Sequence, residues 1–205
     1  MTSAPFAQTI FATYLDQIAA KTPAPGGGAV ACSTGALSAS LAQMVVNYSL
    51  GKKNLADHQP ALALAATKLQ RAREMYLELG EEDAAAYGLV NELQKLPETD
   101  SRRIAELPGA LQAAADVPLA AMALSVDLLR MYQELVPKTN KFLHSDLGIA
   151  TVLAEAANRS SAWNVAANMN GLPPEQAASA RDQFLKFLEV GNAISRATEL
   201  ACRAG

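Results

Sequence analysis

The sequence TPAPGGGAVACSTGALSASLAQMVVNYS occupies residues 22–49 and divides at Gly27. Before that point, two prolines and the first of three glycines cannot continue a helix. After it, Ala31, Ser33, Gly35, Ala36, Ser38, Ala39 and Ala42 put small side chains on nearly every face of a helix running to about Ser49. A helix that is small and uncharged all round is one that other helices surround, so this segment predicts an all-α protein. Between Lys21 and Lys52 there is no formal charge for 30 residues, enough by length alone to cross a bilayer. The glycines, prolines and many Ser, Thr, Asn and Gln make the stretch too polar for that. We read it as a buried helix behind a loop, with no membrane partner.

On the N-terminal side a helix is expected over roughly Pro5 to Ala20, with Phe11, Leu15 and Ile18 on one apolar face. Gly51-Lys52-Lys53 closes the central helix with a flexible residue and cations suited to the negative end of its dipole. Pro60 falls in the first turn of a third helix that reaches Leu96 with a bend near Gly80. A polar stretch from Glu98 to Arg103 leads to a further helix, interrupted or kinked near Pro108 and Pro118 and ending near Val136. The next follows Ser145 to about Asn170, where Gly171-Leu172-Pro173-Pro174 stops it. The last runs from Pro174 toward Cys202. No repeat or linker divides the chain, so residues 1–205 are expected to form one single-domain bundle of long helices.

The chain holds 42 Ala and 27 Leu but is only 5% aromatic, so its core must come from close backbone approach rather than bulky side chains. With 50% apolar and 18% charged residues it is neither disordered nor a disulfide scaffold. A net charge of −3, with no run of Lys or Arg longer than two, argues against a nucleic-acid partner and for a small molecule. Cys32 and Cys202 lie near opposite ends without CxxC spacing, which suits a reducing, cytoplasmic setting. Met1 to Ile10 lacks the basic and apolar regions of a signal peptide. His58 and His144 have no ligand-spaced companions, so no metal is expected. The absence of a GxSxG elbow removes support for Ser/His/Asp catalysis.

Four constellations carry chemical potential. Pro25, Gly26, Gly27 and Gly28 head a helix, where bare backbone N–H groups would receive a carboxylate or phosphate; the same glycines also suit a tight connection between closely packed helices. Asp83 and Tyr87 are four apart on one helix face, either a solvated face or a carboxylate and phenol entering a cleft to move a proton. Ser145 reads as an N-cap, with Asn140, His144 and Asp146 adding polar groups at the same helix start. Asn164 and Asn168, also four apart, form either an interhelical hydrogen-bond pair or a reader of a heterocycle with amide-like edges.

Taken in order, Thr22 to Gly28, Met44-Val45 leading to Gly51-Lys52-Lys53, Asp83-Ala-Ala-Ala-Tyr87, Val117-Pro118-Leu119, Ser145-Asp146 and Asn164-Val165 resemble the cyclodeaminase/cyclohydrolase family of folate enzymes. The resemblance spans nearly the whole chain and implies an all-helical homodimer. It implies methenyltetrahydrofolate cyclohydrolase activity, hydrolysing 5,10-methenyltetrahydrofolate to 10-formyltetrahydrofolate, because 205 residues leave no room for a formiminotransferase half. Formiminotetrahydrofolate cyclodeaminase, releasing ammonia, is the alternative. A non-catalytic folate-binding module is a third reading. The folate is substrate, and no further cofactor is implied. Catalytic roles then go to Asp83 as base or cation stabiliser, Asp146 as its rival and Lys53 as acid or tail-binding cation. Pro25, Gly26, Gly27, Gly28, Lys52, Tyr87, Ser145, Asn164 and Asn168 would bind substrate. His144 departs from the pattern, where a small or apolar residue is expected, and either alters the pocket's pH response or points to solvent. The helix from Gly27 to Ser49 has more uncharged surface than one bundle covers and is expected to help form the dimer interface.

Overall fold

Gly26 is extended and Gly27 opens a 23-residue helix, so the chain turns into its central element where the glycines stand. The computed structural model describes residues 11–204. Among them every regular element is helical: α1 (Phe11–Ala19), α2 (Gly27–Ser49), α3 (Gln59–Gln94), α4 (Ser101–Leu135), α5 (His144–Asn168) and α6 (Pro174–Ala204), joined in part by short 3-10 turns. Helices α2 to α5 form an up-down-up-down bundle in which each packs on its neighbours, and α6 lies in the groove of α4 and α5. Pairings along α2 fix the directions. Gly28, Gly35 and Gln43 meet Asp83, Tyr76 and Ala66 of α3, while Gly27 and Ser38 meet Asn164 and Ala150 of α5.

Because Ala is the commonest residue, the few large polar rings in the core carry much of the specificity. Tyr132 and Tyr76 are fully buried. The Tyr132 hydroxyl lies 2.9 Å from Ser38 Oγ, which itself donates to the Ala150 carbonyl at 2.7 Å. Since that serine has already spent its proton, the tyrosine is the donor. The same logic holds for Tyr76, 2.7 Å from Ser125 Oγ, which donates to the Ala121 carbonyl at 2.8 Å. Burial raises both phenols well above their ordinary pKa, so they remain neutral donors. These Tyr-to-Ser-to-carbonyl relays satisfy polar groups that would otherwise be costly to bury.

Several expectations change. The first helix turns its Phe11 and Leu15 face outward, 64% and 49% exposed, and buries Tyr14 instead; its expected residues 5–10 lie outside those described. Helix α3 runs unbroken through Gly80, and α4 runs unbroken through Pro108 and Pro118. An interior proline costs about 3 kcal/mol, and the packing of a 35-residue helix against α3, α5 and α6 outweighs it. Ser145 is not an N-cap: α5 begins at His144 after Leu143, and Asn140 caps the preceding short turn through Phe142 N. Helices α2 and α4 are each apolar and long enough to span a membrane, yet about half of each such stretch is buried inside the bundle.

A Cβ on Gly35 would lie 2.3 Å from the Tyr76 ring. Gly35→Ala is therefore expected to push that ring off Ser125 and destabilise the fold by about 2–4 kcal/mol, against about 1 kcal/mol for Tyr76→Phe, both measurable by urea unfolding.

Candidate functional site

Asp83 lies on the first turn of α2. A Cβ added to Gly28 would fall 2.0 Å from Asp83 Oδ2 and 2.4 Å from Oδ1, so the carboxylate occupies the space a side chain would take. One residue earlier, a Cβ on Gly27 would stand 3.3 Å from Asn164 Oδ1, tight but tolerable. Gly26 has open surroundings, its nearest neighbour being the Pro23 carbonyl at 3.8 Å. None of the three has a positive φ. Their service is room for close approach rather than backbone freedom. The start of α2 has no side-chain cap, leaving first-turn N–H groups for an anion.

The Asp83 carboxylate is only half exposed, and burial raises its pKa above the ordinary 3.8. Behind it stands Cys32, one turn along α2 from Gly28 and packed by its Cβ against Gly80. Burial first and the Asp83 charge second push the Cys32 thiol up to about 12, so it stays a neutral, apolar back wall. A carboxylate with a raised pKa, partly exposed and beside a neutral apolar wall, is a better proton acceptor than an ordinary surface carboxylate.

The expected site residues fall into two groups. Pro25, Gly26, Gly27, Gly28, Asp83 and Asn164 gather at the start of α2. Tyr87 follows Asp83 by one turn and is 48% exposed, available to a ligand. Asn168 is tied away from this centre, its amide donating to the Ala114 carbonyl of α4, so it does not act with Asn164 as a pair. Lys52, Lys53, Ser145 and Asp146 belong to the opposite end of the bundle. At 1.5 Å per residue Ser49, the last residue of α2 before Lys52 and Lys53, stands about 31 Å from Gly28, and Asp146 about 27 Å from Asn164. Eighteen residues are five full turns, so Asp146 and Asn164 nevertheless point in the same direction from α5. Ser145 opens instead onto a cavity of about 470 Å³ between α5 and α6, largely apolar apart from Glu199 and Arg203.

His144 neither faces solvent nor reaches the Asp83 centre. It is 7% exposed, with Nε2 3.0 Å from the Val136 carbonyl and Nδ1 buried without a hydrogen-bond partner. Its role is in the α4–α5 connection. Among the described residues no group of three or more His, Cys, Asp or Glu side chains is placed to hold a metal ion. One neighbour of Asp83 escaped the sequence reading: Cys32, whose one-turn spacing from Gly28 was the available signal.

The geometry can be set beside known proteins. Residues 11–186 match the family model described as formiminotransferase-cyclodeaminase. The chain belongs to the formiminotransferase-cyclodeaminase family. Within it, the chain is 34% identical over 181 residues to the methenyltetrahydrofolate cyclohydrolase of Methylorubrum extorquens, covering 86% of each. Identity to the formimidoyltransferase-cyclodeaminase of Sus scrofa is 29% over 182 residues, 86% of this chain but 34% of that much longer one. The crystal structure of the formiminotetrahydrofolate cyclodeaminase of Thermotoga maritima superposes with a TM-score of 0.83 at 28% identity, covering 97% of this chain and 96% of the other. The family expected from the motifs and the all-α fold both stand.

If Gly28 exists to admit the carboxylate, Gly28→Ala must displace Asp83 while leaving the rest of α2 in place. Activity is expected to fall on the order of 10²-fold or more, as for a misplaced catalytic group, with a stability loss of only about 1–3 kcal/mol. Steady-state kinetics beside urea unfolding of the same sample checks both.

Proposed function

We propose that this chain is a methenyltetrahydrofolate cyclohydrolase. The observation that carries the reading is the Asp83 carboxylate seated on a glycine-opened helix start with its pKa raised by burial. The 34% identity to a cyclohydrolase over 86% of both chains supports the reaction class. The N5–CH=N10 carbon of the substrate is cationic. Asp83 stabilises that cation and takes a proton from water as its oxygen adds to the carbon. The tetrahedral adduct then breaks its carbon–N5 bond as N5 accepts a proton from an acid and the adduct's hydroxyl gives up its proton to a base, leaving the one-carbon unit on N10 as a formyl group. Gly27 and Gly28 present backbone donors, and Asn164 lends an amide to the pterin edge.

Lys53, the acid expected from the resemblance, lies beyond the far end of α2 and does not reach Asp83 of its own subunit. We propose a homodimer that supplies it. Val30, Thr34, Leu37, Leu41, Met44 and Tyr48 recur along α2 at steps of four and three, with Val30, Leu37 and Tyr48 38%, 52% and 63% exposed. That is the seam of a helix pair. Two α2 helices crossing antiparallel about an axis near Ala39 set Gly28 level with the partner subunit's Leu50. The partner subunit's Lys52 and Lys53 follow within a turn, with the partner subunit's Asp146 about 10 Å away along the axis. In this reading Lys53 is the acid or holds the glutamate tail, and Asp146 supports it.

Cyclodeaminase activity is the second reading, favoured by the fold-level match to the Thermotoga maritima enzyme. There N10 is the nucleophile and ammonia leaves. Incubation with methenyl- and with formiminotetrahydrofolate, following methenyl absorbance, separates the two: decay marks the cyclohydrolase, growth the cyclodeaminase.

Asp83→Asn is expected to lower turnover on the order of 10²- to 10⁴-fold. Its effect on stability has the opposite sign. An acid whose pKa is raised in the fold stabilises it fully below the ordinary 3.8 and loses that contribution as pH rises through the raised value. At pH 7 the wild type bears a partly buried charge that the Asn variant lacks, so the variant should unfold at the same or higher temperature. An Asn variant retaining more than about a tenth of the rate would remove Asp83 as the base.

A further inference from the structure

Tyr14 is the one fully buried residue of α1, 6% exposed, in a helix whose Phe11 and Leu15 face outward. Its hydroxyl lies 2.8 Å from Ser33 Oγ, and that oxygen is 2.7 Å from the Ala29 carbonyl, to which it donates. With the serine proton committed, Tyr14 is the donor, which makes this a third relay of the kind formed by Tyr76 and Tyr132 inside the bundle. Its place differs. Ala29 directly follows Gly28 in the first turn of α2, and Ser33 directly follows Cys32, the wall behind Asp83.

Between the two pinned points runs the proline- and glycine-rich connection. Its hydrogen bonds are local: Thr22 N to the Ala20 carbonyl at 2.9 Å, Thr22 Oγ1 to the Ala24 carbonyl at 3.1 Å, and Val30 N closing α2 onto the Gly26 carbonyl at 3.1 Å. None of these bonds ties residues 20–25 to α3 or α5, so the placement of the loop that leads into Gly28, beside Asp83, depends on how its two ends are held. One end is α2 itself. The other is α1, which is held by Tyr14, with Ile18 half-buried one turn later.

We propose that Tyr14 is a positioning residue for substrate binding: through Ser33 it anchors α1 to the first turns of α2 and thereby sets the glycine loop that leads into the Asp83 site. The inference rests on the reading of that site as a folate site. It requires no contact between Tyr14 and substrate. The phenol acts by restricting the loop, so its loss raises the cost of ordering residues 20–26 on binding and leaves the chemistry at Asp83 unchanged.

The test uses the full-length protein with Tyr14→Phe, Ser33→Ala and the double variant. Each single change is expected to raise the KM for methenyltetrahydrofolate about three- to tenfold, the worth of one hydrogen bond, while kcat moves less than about twofold. The double variant should match the singles rather than multiply them, because both cut one relay. Amide exchange should accelerate about fivefold in residues 20–28 and stay unchanged in α3 to α6. Unchanged KM with unchanged exchange at 20–28 would overturn the proposal, as would multiplicative effects in the double variant or acceleration spread over the whole bundle. A wild-type protein inactive on both folates would overturn the functional reading instead, and the exchange measurement would still decide whether Tyr14 anchors the loop.

Discussion

Two missing side chains set the register of the α2–α3 pair. Gly28 and Gly35 stand two turns apart on one face of α2, and α3 fills each absence from its own matching positions: the Asp83 carboxylate lies where a Cβ would be on Gly28, the Tyr76 ring where one would be on Gly35. Between them a Cβ added to Gly80 would meet Cys32 Cβ at ordinary packing distance. A slip of α3 by one turn would drive a ring or a carboxylate into backbone. The constraint therefore does two things at once, fixing how the bundle packs and delivering a half-buried carboxylate to the open start of a helix. Structure and chemistry are difficult to separate at this helix start because the same vacancy serves both.

The remaining face of α2 explains why so apolar a helix tolerates exposure. Its inward surfaces are covered by α3 and α5, whereas Val30, Leu37 and Tyr48 face outward. In the proposed dimer that stripe meets its own copy, and the antiparallel crossing brings the lysines at the end of one α2 to the glycines at the start of the other. In that dimer α2 would have two separate interfaces, small side chains toward α3 and the larger ones toward the second copy. The three Tyr–Ser relays stiffen this arrangement, with those of Tyr76 and Tyr132 in the interior and that of Tyr14 at the edge of the site.

Helix boundaries at Gly27, Gly51 and Pro174 were legible because glycine and proline act on their own few residues. The interruption expected at Pro108 and Pro118 does not occur, for the complementary reason: their local cost is real, but packing along α4 exceeds it, and packing is not visible in a window of sequence. The apolar face of α1 was legible as a face, but its spacing does not say what covers it: Phe11 and Leu15 are exposed and Ile18 is half-buried. Asp83 and the glycines were each legible as motifs, yet 55 residues separate Gly28 from Asp83, and only the fold shows that one sits inside the outline of the other. Lys53 and Asp146 were legible as candidates but not as residents of the opposite end of the bundle. Tyr14 and Ser33 gave no signal, since a relay across two helices has no pattern in either.

In the proposed dimer each active centre combines Asp83 and the glycines of one subunit with Lys53 of the other. Subunit complementation tests it most directly. Asp83→Asn and Lys53→Met proteins, each nearly inactive alone, would be mixed, allowed to exchange subunits and assayed for methenyl decay. If the centre is shared, half of the reassorted dimers hold one unaltered site, and the mixture recovers about a quarter of wild-type activity. If all catalytic groups come from a single chain, no intact centre can arise from these two variants without such sharing, and the mixture would show only the sum of the two residual activities.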